Sequence, residues 1–216
     1  MMECIQAGIY RGEGKYYTLN LVPGEDVYEE ELVEQEGFEY RRWDPNRSKL
    51  CAFLEKEHSL PVKPDIDVLY LGAGDGTTVS HLSDIVTDGK IFAVEIARNP
   101  FRNLLSLSKK RKNIYPIMAD ARDPSNYDDI VSRVDLIYQD ISQRDQKEIF
   151  LKNLRFLQKG SFGMIAVKAR SINVSESPEV IYEGVEKRLK DEGYEVKTKT
   201  DISRWQKDHS IITIKK

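Results

Sequence analysis

Beyond residue 66 the chain repeats one alternation: a short apolar run, then a longer stretch whose apolar residues recur at helical spacing. Seven such runs are predicted as strands: Val68 to Leu71, Ile91 to Glu95, Ile114 to Met118, Leu136 to Gln139, Phe162 to Val167, Glu195 to Lys199 and Ser210 to Ile214. Strands alternating with helices give an α/β fold with a mostly parallel sheet. The first forty residues differ, being short polar and aromatic pieces broken by Gly8, Gly12, Gly14, Gly24 and Gly37. The alternation from Tyr16 to Val22, closed by Pro23-Gly24, reads as short antiparallel strands. The expected organisation is a small N-terminal β domain over residues 1–40 and a second domain over 41–216. Helix starts are marked where a capping residue precedes proline, at Asp44-Pro45, Asn99-Pro100, Asp123-Pro124 and Ser177-Pro178. Ser142 with Asp145 resembles a capping box.

With 216 residues, the length suits one ordinary domain with an appendage. No apolar stretch approaches the ~18 residues of a membrane span, and the start lacks the order of a signal peptide, so a cytoplasmic protein is expected. Cys4 and Cys51 are the only cysteines, which excludes a disulfide framework and a structural zinc site. The net charge of -3 argues against a nucleic-acid partner only as an average. Residues 25–39 hold eight acids and no base, leaving an excess of five bases elsewhere, and residues 98–112 hold six bases and no acid. The acidic stretch is expected to join the two domains, and each run taken alone fits a solvated face.

The most informative segment runs from Val68 through Leu71-Gly72-Ala73-Gly74-Asp75-Gly76-Thr77-Thr78 to His81. A strand enters a small-residue loop and then a helix, so the backbone can approach a ligand closely. The next strand ends in Glu95, nineteen residues past Gly76, where a carboxylate can accept both hydroxyls of an adenosine ribose. Dinucleotides and S-adenosylmethionine both fit this geometry. The GxGxG spacing favours S-adenosylmethionine, which has no pyrophosphate to seat, and Asp120-Ala121 closes the third strand where an acid can meet the adenine amino group. The plain alternative is tight packing at the glycines with solvated acids at the strand ends.

Longer stretches are more specific. Tyr40-Arg41-Arg42-Trp43-Asp44-Pro45-Asn46-Arg47-Ser48-Lys49-Leu50, Tyr70-Leu71-Gly72-Ala73, Gly76 to Asp84, Asn113 to Ile117 with Asp120-Ala121-Arg122, Gln139-Asp140, Gln143 with Asp145-Gln146, Lys168-Ala169 and Asp208-His209 resemble fibrillarin. The resemblance is to the archaeal form and covers residues 40–216. It implies a class I, Rossmann-like methyltransferase fold and transfer of the S-adenosylmethionine methyl group to ribose 2′-hydroxyls of rRNA and tRNA. The implied partners are a box C/D guide RNA, a Nop-family scaffold protein and a kink-turn-binding ribosomal-type protein. Implied cofactor contacts are Gly72, Ala73, Gly74, Thr77, Thr78, Glu95, Ile96, Asp120, Ala121, Asp140, Ile141, Ser142 and Gln143. Gly74-Asp75 departs from the family, which usually has two small residues there.

The Lys-Asp-Lys set of 2′-O-methyltransferases falls on Lys49, Asp140 and Lys168, with His209 as a fourth member. In this reading Lys168 orients or deprotonates the hydroxyl, Lys49 lowers its pKa and Asp140 holds the ammonium. RNA phosphates are expected at Arg41, Arg42, Arg47 and Lys49, while Ser48 and His81 are expected to cap and pack. Two other functions stay open: a methyltransferase acting on a small molecule or protein, and a structural subunit that has lost its cofactor.

Overall fold

The computed structural model describes residues 1–216. Its first sheet is antiparallel, with strands β1 (Glu3–Gln6), β2 (Ile9–Gly12), β3 (Lys15–Leu19), β4 (Leu32–Gln35) and β5 (Phe38–Trp43) in the order β1-β2-β3-β5-β4. β5 crosses the division expected at residue 40. The acidic stretch is part of this sheet and its loops, not a joint between domains: Glu30 is buried against Arg41, and Glu25 pairs with Lys110 of the basic run.

The second sheet contains β6 (Val68–Leu71), β7 (Ile91–Glu95), β8 (Ile114–Met118), β9 (Val134–Gln139), β10 (Leu157–Lys168), β11 (Glu195–Asp201) and β12 (His209–Lys215), ordered β11-β12-β10-β9-β6-β7-β8. β12 runs antiparallel to both its neighbours, and the remaining pairs are parallel. All seven expected strands are present, four of them longer than expected by two to six residues. Both faces are covered, which is why the strands read as continuous apolar runs. Val68, Tyr70, Leu136 and Tyr138 face one core with helices α1 (Lys49–Glu57) and α2 (Thr77–Ile85). Leu69, Leu71, Ile137 and Ile165 face the other, with α4 (Gln146–Asn153) and α6 (Pro178–Asp191). Helices α3 (Arg98–Lys110) and α5 (Ala169–Ile172) complete the chain. No helix is long and apolar enough to cross a membrane.

The predicted helix starts divide. Ser177 caps α6 by accepting from the Val180 amide, and Asp123 caps a short 3-10 turn beginning at Pro124. At Asp44-Pro45 no helix starts, because the Asp44 carboxylate folds back onto the Asn46 amide and holds a turn. The helix begins at Lys49 with Ser48 as its cap. α3 starts one residue before Asn99, so Pro100 still lies in the first turn, where amides have no intrahelical acceptor. Ser142 does not cap a helix either, since α4 begins at Gln146 after Asp145.

The two sheets are joined by a buried polar cluster. Asp84 on α2 is fully buried and accepts from Arg41 (2.8 Å), Thr18 (2.7 Å), the Leu21 amide (3.0 Å) and Arg111. Arg41 also donates to Glu30 at 2.6 Å and Ser80 at 2.9 Å. Arg41 and Arg111 are therefore not surface cations, and Arg41 cannot meet RNA phosphates as expected. The reason is pairing: buried guanidinium needs a carboxylate and a full set of acceptors.

His81 completes the cluster, stacking on Trp43 at 5.1 Å. Thr18 Oγ1 gives its proton to Asp84, so it accepts from His81 Nδ1 at 2.8 Å, leaving Nε2 to accept from the Tyr28 hydroxyl at 2.7 Å. Burial, then Arg41 and Arg111, hold the imidazole pKa well below its usual value, so the ring is neutral.

Two predictions follow from this cluster. Asp84→Asn leaves buried Arg111 with no carboxylate and Arg41 with Glu30 alone, and should cost about 3–5 kcal/mol, read by urea unfolding. The unfolded chain takes up a proton on His81 near pH ~6.5, which the folded state refuses. Stability should therefore fall as pH drops from about 7.5 to about 5.5, and fall less in His81→Gln, measured as urea midpoints.

Candidate active site

The carboxyl ends of the parallel strands meet where β6 has neighbours whose connections leave in opposite directions, and open sheets bind ligands at such a crevice. A cavity of about 270 Å³ lies there. Gly72 and Gly74 follow β6, Glu95 ends β7, Asp120 and Ala121 follow β8, and Asp140, Ile141, Ser142 and Gln143 follow β9; with Ile96 all line it. Ala73, Thr77 and Thr78, expected with them, do not. Thr78 turns its hydroxyl away to donate to Ser48 (3.0 Å), and Thr77 lies at the start of α2.

Glu95 is nearly buried and accepts from the Gly74 amide at 2.8 Å and the Ala97 amide at 2.7 Å. These bonds fix the glycine loop and the start of α3 on one carboxylate. Sequence reasoning missed Val94, Ala119, Arg122 and Ile149 in the lining. The apolar members carry no chemical signal. Arg122 was visible only as part of a motif; it donates to Asp145 at 2.9 Å and to Gln143 at 2.8 Å, and pairs with Asp120.

The cavity's charges discriminate between ligands. Glu95, Asp120 and Asp140 line it, and its one lining cation, Arg122, is engaged by acids. A pyrophosphate would meet three carboxylates, whereas an adenosine carrying a cationic sulfur meets acceptors and apolar walls. The donor set therefore fits S-adenosylmethionine and not a dinucleotide.

Beside the cavity the expected Lys-Asp-Lys set is in contact. Lys168 Nζ lies 2.7 Å from one Asp140 oxygen, and Lys49 Nζ lies 3.1 Å from the other. Lys168 also donates to the Asp140 carbonyl at 3.1 Å and to Ser142 at 2.8 Å, which is what occupies Ser142 in place of capping. Burial pushes the Lys168 pKa down, Asp140 pulls it up and Lys49 pushes it down again; the balance is below an ordinary lysine. Burial alone would raise the Asp140 pKa, but Lys49 and Lys168 hold it below the usual carboxylate range. His209 pairs with Lys168 across β10 and β12, and its Nδ1 donates to the Lys207 carbonyl at 2.6 Å, leaving Nε2 free in the neutral ring. Burial lowers its pKa more than the Lys207 carbonyl raises it, with Lys49 and Lys168 adding to the lowering.

Comparison with known proteins identifies the family. The fibrillarin family model matches residues 3–216. The chain belongs to the fibrillarin family. A relative from Methanosarcina acetivorans, a fibrillarin-like rRNA/tRNA 2′-O-methyltransferase, is 45% identical over 93% of this chain and 90% of its own length. The Methanococcus jannaschii fibrillarin pre-rRNA processing protein superposes with a TM-score of 0.94 at 40% identity, covering 99% and 96% of the two chains. An Aeropyrum pernix fibrillarin with natively bound S-adenosyl-L-methionine gives a TM-score of 0.86 at 40% identity, covering 95% and 92%. A fibrillarin/Nop5p complex gives 0.90 at 38% identity, covering 97% and 98%.

Of the two residues at the Gly74-Asp75 departure, Gly74 lines the cavity and Asp75 does not. Asp75 accepts from Asn103 at 2.9 Å and faces a separate hollow on the α3 side. Gly72 is the constrained member of the loop: its φ is +80°, and a Cβ there would lie 2.8 Å from the Asp140 carbonyl oxygen and 2.9 Å from Ile141 Cγ1. Gly72→Ala should therefore cost at least ~1–2 kcal/mol from backbone handedness alone. The expected signature in thermal unfolding is a melting temperature lower by roughly 2–8 °C, with amide NMR shifts at Asp140 and Ile141 as the local readout.

Proposed function

We propose that this fibrillarin-family chain transfers the methyl group of S-adenosylmethionine to ribose 2′-hydroxyls of rRNA and tRNA. It does so as the catalytic subunit of a box C/D ribonucleoprotein, on a Nop-family scaffold with a guide RNA and a kink-turn-binding protein. The observation that carries the chemistry is the contact of Lys49, Asp140 and Lys168 at the rim of a carboxylate-lined cavity. The names of the relative and of the ligand- and Nop5p-bound fibrillarins support the cofactor, the target atom and the scaffold.

Gly72 and Gly74 let the backbone approach the cofactor, Glu95 is suited to its ribose and Asp120 to its adenine, between Ile96, Ala121 and Ile141. Bound there, S-adenosylmethionine supplies a methyl on a cationic sulfur, an electrophile with a neutral leaving group. The chain has then to align a weak nucleophile and remove one proton. Alignment in a closed site contributes on the order of 7–11 kcal/mol in the best cases, and a general base about 10²–10⁴-fold.

Lys168 is suited to the second task, because its lowered pKa raises the fraction of free amine. In that form Nζ takes the hydroxyl proton as the 2′-oxygen bonds to the methyl carbon. Asp140 orients the amine through Oδ1 and is held by Lys49 through Oδ2. His209, neutral with Nε2 free, offers an acceptor on the neighbouring strand. With Arg41 buried, exposed Arg47 and half-buried Arg42 and Lys49 remain to meet phosphate. So small a basic surface gives weak, salt-sensitive affinity, in keeping with targeting by guide and scaffold.

The test is transfer of labelled methyl to a guide-paired RNA in the assembled complex. Lys168→Ala should lower kcat by about 10²-fold or more while cofactor binding by calorimetry is kept. A 2′-deoxy target should receive no label, and the chain alone should methylate RNA poorly. Label on the deoxy target, or full activity of Lys168→Ala, would sink the proposal.

A further inference from the structure

The Lys168 ammonium can sit against Asp140 only if the Lys168 backbone is fixed, and the sheet does not fix it on one side. β9 pairs with β10 as far as Gln139 opposite Ile165, then turns away as the loop that lines the cavity. Three residues further along β10, the Lys168 amide and carbonyl therefore face no strand on that edge. On the other edge the chain is held, with Lys168 opposite His209 and the Ala169 amide donating to the Asp208 carbonyl at 3.1 Å.

The missing edge is supplied by one side chain. Gln146, the first residue of α4, is fully buried. Its Oε1 accepts from the Lys168 amide at 3.0 Å, and its Nε2 donates to the Lys168 carbonyl at 3.1 Å. A primary amide thus presents the acceptor and donor that a neighbouring strand would have presented. Gln146 is itself tied down, since its carbonyl accepts from Gln139 Nε2 at 2.7 Å, the last residue of β9. The strand that leaves the sheet and the residue that replaces it are therefore linked.

We propose that Gln146 is a positioning residue for the methyl-transfer step: its side-chain amide acts as a one-residue strand that holds Lys168 at Asp140. This rests on the reading of Lys168 as the group that takes the 2′-hydroxyl proton. Gln146 is not among the residues that line the cavity, and both hydrogen bonds of its side chain go to the Lys168 backbone, so its side chain acts through Lys168. A misplacement of about 1 Å in a reacting group can cost on the order of 10²-fold in rate.

The measurement is single-turnover methylation in the assembled complex, at saturating S-adenosylmethionine and guide-paired RNA. Gln146→Met keeps the length and removes both bonds. The expected result is a rate lower by about 10- to 100-fold, with cofactor Kd within about twofold of wild type by the same scale of argument. The acidic limb of its pH–rate profile should move to higher pH, because for Lys168 the lowering by burial and Lys49 outweighs the raising by Asp140 and Glu95, and a lysine released from all of them regains proton affinity; His209 is the other titratable group facing it. Gln146→Asn stays neutral and polar but is one methylene short of Lys168; it covers the case in which Gln146→Met does not fold, and should show a loss of the same kind. A wild-type rate in either variant overturns the assignment, as does a rate loss matched by an equal loss of cofactor affinity. Lys168→Ala run alongside separates the two ideas. If it abolishes turnover while Gln146→Met keeps it, the positioning role alone fails; if Lys168→Ala keeps turnover, the reading beneath it fails.

Discussion

One carboxylate, Asp84, determines how the two sheets of this protein meet. It lies on α2, the helix that follows the glycine loop, and pairs with both Arg41 from the antiparallel sheet and Arg111 from beyond α3, with Glu30 supplying the second negative charge. Removing two guanidiniums from water is costly, and it is offset only where geometry and hydrogen bonds are complete. Here Thr18, Asn20, Ser80 and Glu30 complete them. The cluster thereby fixes β5, the Ser48 cap that follows β5, and Lys49 at the first position of α1. Lys49, remote in sequence from Asp140, is thus delivered to it by a charge cluster centred on α2.

The same logic, a polar side chain standing in for missing secondary structure, recurs around the site. Glu95 holds the glycine loop and the start of α3 through backbone amides, and Gln146 continues an edge that β9 has abandoned. Strands of a parallel sheet must separate at their carboxyl ends to leave room for a ligand. The backbone groups exposed by that separation need partners, and in this protein the partners are side chains, Glu95 and Gln146, that also hold the cavity's rim in shape.

The parts of the fold that were readable in advance follow from these constraints. Sheet strands buried on both faces leave continuous apolar runs, and the acids at their ends, Glu95 and Asp140, stand out against them. Ser177-Pro178 was readable because cap and proline are a local device. Arg41 and Arg111 were misjudged because residue type signals exposure, while burial depends on partners tens of residues away. Charge partitioned along the chain misled for the same reason: Glu25 and Lys110 lie far apart in sequence and in contact in space. The bond from the Thr78 hydroxyl to Ser48 was not readable either, since its acceptor lies thirty residues away. Gln146 was visible only as one letter of a motif, since nothing local distinguishes a buried amide from a solvated one.

Lys168 is opposite His209, so the strand that carries it gains its second edge only from the last strand of the sheet. The residues lining the cavity, by contrast, all lie between Gly72 and Ile149. During synthesis the cavity wall emerges well before the partner strand that steadies Lys168. The order of emergence is therefore Lys49 first, then the cavity wall, and last the strand edge that holds Lys168, so the contact of both lysines with Asp140 can close only when the chain is almost complete.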